Sequence, residues 1–170
     1  MTTTLKTCIL DMDGVLADFT SAVNALEGRP LGYQPPNYNF VARESWDKMD
    51  LYFWRNLNPT PECFDIVKAV ESRFGPENVI IATSPVLTFG CPEGKIEWLR
   101  IFLPRYARRF AISPVKEFFA NPSTVLIDDA DEWCGKFVAR GGNVLQVPRS
   151  YNSRREVVGS WDLEREIASL

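Results

Sequence analysis

Residues 11–18 read DMDGVLAD and directly follow the apolar run Cys8–Leu10. Because a strand alternates its faces, Asp11 and Asp13 share one side of the chain where a buried strand ends. Two like charges this close repel each other unless a cation lies between them. Gly14 then allows the chain to turn. The stretch therefore predicts a strand that ends at a cation-binding turn.

Further apolar, β-rich runs occur at residues 78–82, 110–112, 124–127 and 143–147. Segments with helical spacing lie between them, at residues 15–26, at 62–74, from Pro92 to Pro104 and at 131–140. This alternation predicts an α/β fold, with a parallel sheet of about five strands between helices on both faces. Open sheets of this kind bind ligands beyond the carboxyl ends of their strands.

Polar side chains follow the predicted strands at that edge. Besides the first aspartate pair, they are Thr83 and Ser84 after the second strand, Asp128 and Asp129 after the fourth, and the lysines Lys95 and Lys116 in the segments that follow strands. Carboxylate and hydroxyl oxygens are ligands for a hard cation such as Mg²⁺. Carboxylates, a divalent cation, a lysine and a hydroxyl together are typical of a phosphoryl-transfer site.

Composition limits the kinds of function. The chain has 170 residues, a net charge of -3 and no histidine, which excludes mechanisms that use a histidine base or ligand. It lacks the basic character of proteins that bind nucleic-acid polymers. The four cysteines are widely spaced, which argues against a zinc site or a disulfide framework. With no apolar run long enough to span a bilayer, we expect a cytoplasmic protein with no membrane partner.

Residues 29–61 interrupt the alternation of strands and helices. They are rich in proline and hold seven aromatic residues. Because this segment begins just after the first predicted helix, it would cover the same strand ends as a small lid. We therefore predict a core formed by residues 1–28 and 62–170, with a small cap inserted at residues 29–61.

Four motifs in chain order resemble those of the haloacid dehalogenase (HAD) superfamily of phosphatases. They are DMDGVLAD, the ATS after the second strand, Lys116 and the IDD that ends at Asp129. Within the superfamily, the chain is most similar to the 5'(3')-deoxyribonucleotidases, which share DMDGVLADF, TSP, the Cys, Pro and Lys of CPEGK, and IDD. The resemblance implies a Rossmann-like core with a small cap.

The resemblance also implies catalytic roles. Asp11 would be the nucleophile that forms an aspartyl-phosphate, and Asp13 would protonate the leaving oxygen and later activate water. Mg²⁺ would be held by Asp11, by the main-chain carbonyl of Asp13 and by Asp129, with Asp128 beside it.

Substrate-binding residues follow from the same resemblance. Thr83, Ser84 and Lys116 would hold the phosphoryl oxygens, next to Asp13, and Lys95 would lie close by. A second group would contact the nucleoside: Phe19, Phe40, Val41 and Trp46.

The function expected from the sequence is that of a Mg²⁺-dependent 5'(3')-deoxyribonucleotidase that acts on small nucleoside monophosphates. Two alternatives remain open: a related phosphatase for another small phosphate ester, and a catalytically silent nucleotide-binding module. Retention of both Asp11 and Asp13 argues against the silent module. The sequence also leaves a homodimer open.

Overall fold

A parallel five-stranded sheet forms the centre of the protein. The computed structural model describes residues 4–170, so the first three residues of the predicted core lie outside it. The strands are β1 (Thr7–Leu10), β2 (Val79–Thr83), β3 (Phe110–Ile112), β4 (Thr124–Asp128) and β5 (Asn143–Gln146), in the spatial order β3-β2-β1-β4-β5. The predicted α/β fold with a parallel sheet is confirmed.

The register brings the predicted site to one edge of the sheet. Leu10 at the end of β1 pairs with Ile81 of β2 and Ile127 of β4. The Asp11 amide then donates to the Ile127 carbonyl at 2.9 Å, which continues the β1–β4 pairing past the strand. Asp11 is therefore held beside the ends of both neighbouring strands.

Within the described residues, six α-helices accompany the sheet: α1 (Phe19–Leu26), α2 (Leu51–Arg55), α3 (Cys63–Phe74), α4 (Cys91–Phe102), α5 (Asp131–Ala139) and α6 (Leu163–Ala168). Both faces of the sheet are buried. Cys8 and Leu10 belong to the main apolar cluster, whereas Ile9 packs on the other face with Leu126 and Phe137. This alternation on a doubly covered strand explains why β1 is apolar at every position.

The first helix begins later than its apolar pattern predicts. We expected residues 15–26 to be helical, but α1 starts at Phe19, where the Asp18 carboxylate accepts from the Ser21 amide at 3.0 Å. Val15 and Leu16 instead lie in a buried turn whose carbonyls accept from the Thr60 hydroxyl and the Thr60 amide, respectively. A buried turn requires apolar side chains just as a buried helix face does, so these two residues fitted the helical pattern.

The aromatic segment 29–61 is partly anchored in the main core. Its structured part holds a 3₁₀ helix at Arg43–Lys48 and the short helix α2, which packs on α4. Gly94 makes this approach close, because a Cβ there would lie 2.5 Å from the Trp54 Cβ. The Trp98 indole also donates to the Leu57 carbonyl at 2.7 Å. The division into a core and a cap at residues 29–61 stays a prediction.

After β5 the chain turns back over the sheet edge. Residues 147–152, named here the return loop, lead towards a 3₁₀ helix at Arg155–Ser160 and then to α6, which packs on α3. The sequence analysis placed this region in the core without predicting its structure. Within residues 4–170, no helix has the length and apolar character needed to cross a bilayer.

Candidate active site

Three carboxylates meet at the carboxyl edge of the sheet. Asp11 follows β1, while Asp128 and Asp129 lie at the end of β4, and one oxygen of each lies within 4.8 Å of the others. All three are buried, the most exposed being Asp11 at 6%. Oxygen ligands from three acidic side chains suit a hard divalent cation such as Mg²⁺. The residue types and their spacing thus fit the metal that the sequence suggests.

Lys116 supplies positive charge within this cluster. Its Nζ lies 2.5 Å from Asp11 Oδ1 and 2.7 Å from Asp128 Oδ2. Burial lowers the pKa of this ammonium, but Asp11 and Asp128 outweigh that effect and raise the pKa above its usual value. One ammonium cannot balance three carboxylates, so a net negative charge remains where a cation would bind.

The pKa values of the carboxyl groups reflect the same excess of negative charge. Burial raises the pKa of Asp11 well above its ordinary value, opposed by Lys116 and reinforced by the neighbouring carboxylates. Burial and the charge of Asp128 raise the pKa of Asp129 to about 7, although a hydrogen bond from Tyr151 lowers it in part. A bound cation would oppose both of these upward shifts, because it favours the ionised carboxylates.

Asp13 stands apart from the three-carboxylate cluster. Its Oδ2 accepts from Lys95 Nζ at 2.5 Å, while its Oδ1 is buried without a hydrogen-bond partner among residues 4–170. The two aspartates of the first motif are thus held by different lysines. The sequence expectation that Asp13 binds the metal concerned its main-chain carbonyl, and that role stays a prediction.

All three hydrogen-bond donors of the Lys95 ammonium are used by other groups of the protein. Besides Asp13, its Nζ donates to the Thr83 hydroxyl and the Ser84 carbonyl, both at 2.7 Å. A lysine ammonium has three donors, and these three contacts use all of them. Lys95 lies close to the predicted phosphoryl site, as expected, but its contacts hold Asp13 and Thr83 in place.

Thr83 and Ser84 remain able to donate. Because Lys95 is only a donor, the Thr83 oxygen accepts from it and keeps its own hydrogen free. The Ser84 hydroxyl makes a long contact of 3.4 Å with the Ser113 carbonyl and lines a neighbouring cavity. Two hydroxyl donors thus stand next to Asp13.

An aromatic cavity of about 260 Å³ opens from Asp13, Ser84 and Asp129. The structure brings all four predicted nucleoside-contacting residues to its wall: Phe19, Phe40, Val41 and Trp46. Phe19 stacks on Trp54 with ring centroids 5.5 Å apart and on Trp46 at 6.0 Å. Because Asp129 belongs to the carboxylate cluster and also lines this cavity, the cluster and the aromatic cavity adjoin each other.

Comparison with known proteins identifies the fold. No protein-family model matches the chain. YfnB from Bacillus subtilis, a protein assigned to the HAD hydrolases and bound to magnesium, matches with a TM-score of 0.56 and 15% identity over 99% of this chain and 100% of that one. A dehalogenase matches with a TM-score of 0.57 and 16% identity over 100% of this chain and 99% of that one. The chain has the HAD fold.

A curated relative is also similar in sequence. The mitochondrial 5'(3')-deoxyribonucleotidase of Mus musculus is 28% identical over 149 residues. The match covers 75% of this chain, and the chain spans 66% of that protein's length. Because the HAD fold serves dehalogenases as well as other hydrolases, the fold alone does not decide which bond is cleaved.

Several residues of this HAD-fold site were missed by the sequence analysis. The cavity wall also contains Tyr38, Trp54, Trp133 and Tyr151. Tyr151 carried a signal that could have been used, because it lies just beyond the carboxyl end of β5, where open sheets place their ligands. Trp133 is a single aromatic residue on a helix, which by itself predicts only packing.

Proposed function

We propose that the protein is a Mg²⁺-dependent phosphatase that hydrolyses nucleoside monophosphates, with deoxyribonucleotides as its preferred class. The observation that carries the proposal is that the aromatic cavity is lined both by Asp13 and by Asp129, a member of the three-carboxylate cluster. A phosphate group would lie at the charged end and a base between the aromatic walls. The preference for deoxyribose rests on the similarity to the mouse enzyme.

In the proposed reaction, Asp11 attacks phosphorus and the bond between phosphorus and the nucleoside oxygen breaks. Asp13 gives that oxygen its proton, so nucleoside leaves and an aspartyl-phosphate remains. Water then attacks phosphorus and gives a proton back to Asp13, which releases phosphate and restores Asp11. Bound Mg²⁺ would be held by Asp11 and Asp129, with Asp128 beside them, and would neutralise phosphoryl charge.

The contacts of the two aspartates support these separate roles. Asp13 Oδ2 accepts from Lys95, so the proton that Asp13 transfers would be carried on Oδ1, which has no hydrogen-bond partner within residues 4–170. Asp11 Oδ1 accepts from Lys116, and the positive charge of this lysine favours the ionised form of Asp11 that would attack phosphorus.

Phosphoryl oxygens would be held by donors that the protein leaves available. The Thr83 hydroxyl is oriented by Lys95 and has its hydrogen free, and the Ser84 hydroxyl lines the cavity. Lys116 adds positive charge at the same edge of the sheet. Preorganised donors of this kind lower the cost of placing charge on the transferring group.

The test is a substrate panel with matched protein variants. Phosphate release is measured from deoxyribonucleotides, ribonucleotides and a sugar phosphate, with Mg²⁺ or with EDTA, and halide release is measured from a 2-haloacid. We expect Mg²⁺-dependent phosphate release that is fastest with deoxyribonucleotides. Asp11→Asn is the inactive control, and Asp131→Asn, at the exposed start of α5, controls for loss of an aspartate. Halide release without phosphate release would overturn the proposal, as would equal rates in EDTA.

A further inference from the structure

Tyr151 of the return loop joins the metal-binding cluster to the aromatic cavity. Its hydroxyl donates to Asp129 Oδ2 at 2.6 Å, and its ring forms part of the cavity wall. We infer that Tyr151 is a positioning residue that orients Asp129 for the cation and at the same time forms the nucleoside-facing wall. The inference rests on the proposed function, because it assigns a residue to the same site.

The hydrogen bond restricts which oxygen of Asp129 faces the cation. An ionised carboxylate only accepts, so the Tyr151 hydroxyl must be the donor. With Oδ2 engaged by this donor, Oδ1 is the oxygen that is free for a strong metal bond. Partners that hold a metal-ligating carboxylate in this way typically change metal affinity by about 10- to 100-fold when they are removed.

The same loop also fixes the main chain of Asp129. Asn152, the next residue after Tyr151, donates from Nδ2 to the Asp129 carbonyl at 2.7 Å and to the Val147 carbonyl at 2.8 Å. Both the side chain and the backbone of Asp129 are therefore held by adjacent residues of the return loop. Asn152 and Tyr151 are both buried, so water does not compete for these bonds.

Gly14 leaves the space that this arrangement needs. Its φ of +78° favours glycine, and a Cβ at this position would lie 2.5 Å from Asp129 Oδ2 and 2.7 Å from the Tyr151 hydroxyl. A larger residue would push apart the two atoms that form the hydrogen bond. The glycine of DMDG thus allows the contact as well as the turn.

The ring of Tyr151 contacts the other aromatic residues of the cavity. Its centroid lies 5.4 Å from that of Phe40 and 5.9 Å from that of Tyr38. A nucleoside seated against this wall would hold the ring, and through the hydroxyl would hold Asp129. Metal binding and nucleoside binding should therefore favour each other.

Tyr151→Phe separates the two roles, because it removes the hydroxyl and keeps the ring. Mg²⁺ affinity is measured by titration calorimetry on metal-free protein without substrate. We expect affinity to fall by about 10-fold or more. Tyr106→Phe is the matched control, since it removes a tyrosine hydroxyl that donates at 2.8 Å to a carboxylate outside the site, that of Glu71, and it should leave Mg²⁺ affinity unchanged. Equal affinity in both variants and the wild type would overturn the inference.

The ring is tested separately with Tyr151→Leu. Affinity for the phosphate-free nucleoside, measured in the presence of Mg²⁺, should fall in Tyr151→Leu and stay close to that of the wild type in Tyr151→Phe. Unchanged nucleoside affinity in Tyr151→Leu would also overturn the inference. A wild-type protein that binds Mg²⁺ but has no phosphatase activity would instead refute the proposed function, while the effect of Tyr151→Phe on Mg²⁺ affinity would still decide the role of the hydroxyl.

Discussion

The two aspartates of DMDG differ by environment, although they are the same residue type and only Met12 separates them. Asp11 lies in the buried cluster and accepts from Lys116, whereas Asp13 lies outside that cluster and accepts from Lys95. A nucleophile must remain unprotonated, and a general acid must carry a proton that it can release. In the proposed mechanism, Lys116 would favour the ionised form of Asp11, whereas Asp13 would carry its transferable proton on Oδ1, the oxygen that has no hydrogen-bond partner within residues 4–170.

Asp11→Asn should abolish turnover and leave the fold intact. An amide does not attack phosphorus, so we expect phosphate release to fall by roughly 10⁴-fold or more. Lys116 keeps its contact with Asp128, so the lysine is not left unpaired. Phosphate release and far-ultraviolet circular dichroism are the measurements. Activity retained by a folded Asp11→Asn protein would contradict the covalent mechanism.

Asp129→Ala and Asp131→Ala form a matched pair for the metal. Asp129 lies in the buried cluster, whereas Asp131 accepts from Gln146 and Ser153 at the surface. We expect the Mg²⁺ concentration for half-maximal activity to rise by more than about 10-fold in Asp129→Ala, because loss of an outer partner alone costs about that much. Asp131→Ala should change it little, and Ca²⁺ should substitute poorly for Mg²⁺. Equal effects of the two substitutions would show that the metal-binding carboxylate is misassigned.

At the scale of elements, the strands were predictable and the loops were not. Each strand is a short apolar run with clear ends, and the predicted runs differ from the observed strands by at most one residue at either end. The start of α1 was wrong, because a buried turn and a helix face both demand apolar residues such as Val15 and Leu16. The role of Tyr151, and the contact by which Lys95 holds Asp13, depend on residues that are distant in the chain, and local sequence pattern does not record such contacts.

A substitution in the aromatic segment 29–61 can distinguish recognition of the nucleoside from packing of the protein core. Trp46 stacks on Phe19 at the cavity wall and is only partly buried. Base stacking is worth about 1 to 3 kcal/mol, so Trp46→Ala should lower kcat/KM for a nucleotide by roughly 5- to 150-fold. Turnover of a small phosphate ester without a base should barely change.

A packing role for Trp46 would give a different result. Trp46→Ala would then lower the melting temperature and reduce turnover of both substrates alike. Phe40→Ala is a second variant of the same cavity wall and should behave as Trp46→Ala does. Parallel loss on both substrates would leave the base-binding residues unidentified.

At the scale of the whole molecule, the site makes the stability of the protein depend on pH and metal together. Burial and Asp128 raise the pKa of Asp129 from 3.8 to about 7. Between these values, the folded metal-free protein binds more protons than the unfolded chain, so its stability falls as the pH rises through this range. Mg²⁺ binds the unprotonated carboxylate and therefore offsets this loss of stability at higher pH.

We therefore expect Mg²⁺ to raise the melting temperature more at pH 8 than at pH 6. Differential scanning fluorimetry with and without Mg²⁺ at both pH values provides the measurement. Asp129→Asn removes the titrating group and should reduce the difference between the two pH values. A Mg²⁺-induced shift that is the same at both pH values in the wild type would contradict this assignment of Asp129.

The position of β1 at the centre of the sheet has a consequence for the order in which the protein can fold during its synthesis. Asp11 precedes its partner strand β4, Asp129 and Tyr151 by more than 100 residues, so it is synthesised well before them. Contacts between such distant residues form slowly, because the chain loses the entropy of closing a long loop before these contacts can stabilise it. A ribosome-bound chain that has not yet released the return loop would lack Tyr151 and Asn152, so the metal cluster would mature only after this loop has emerged.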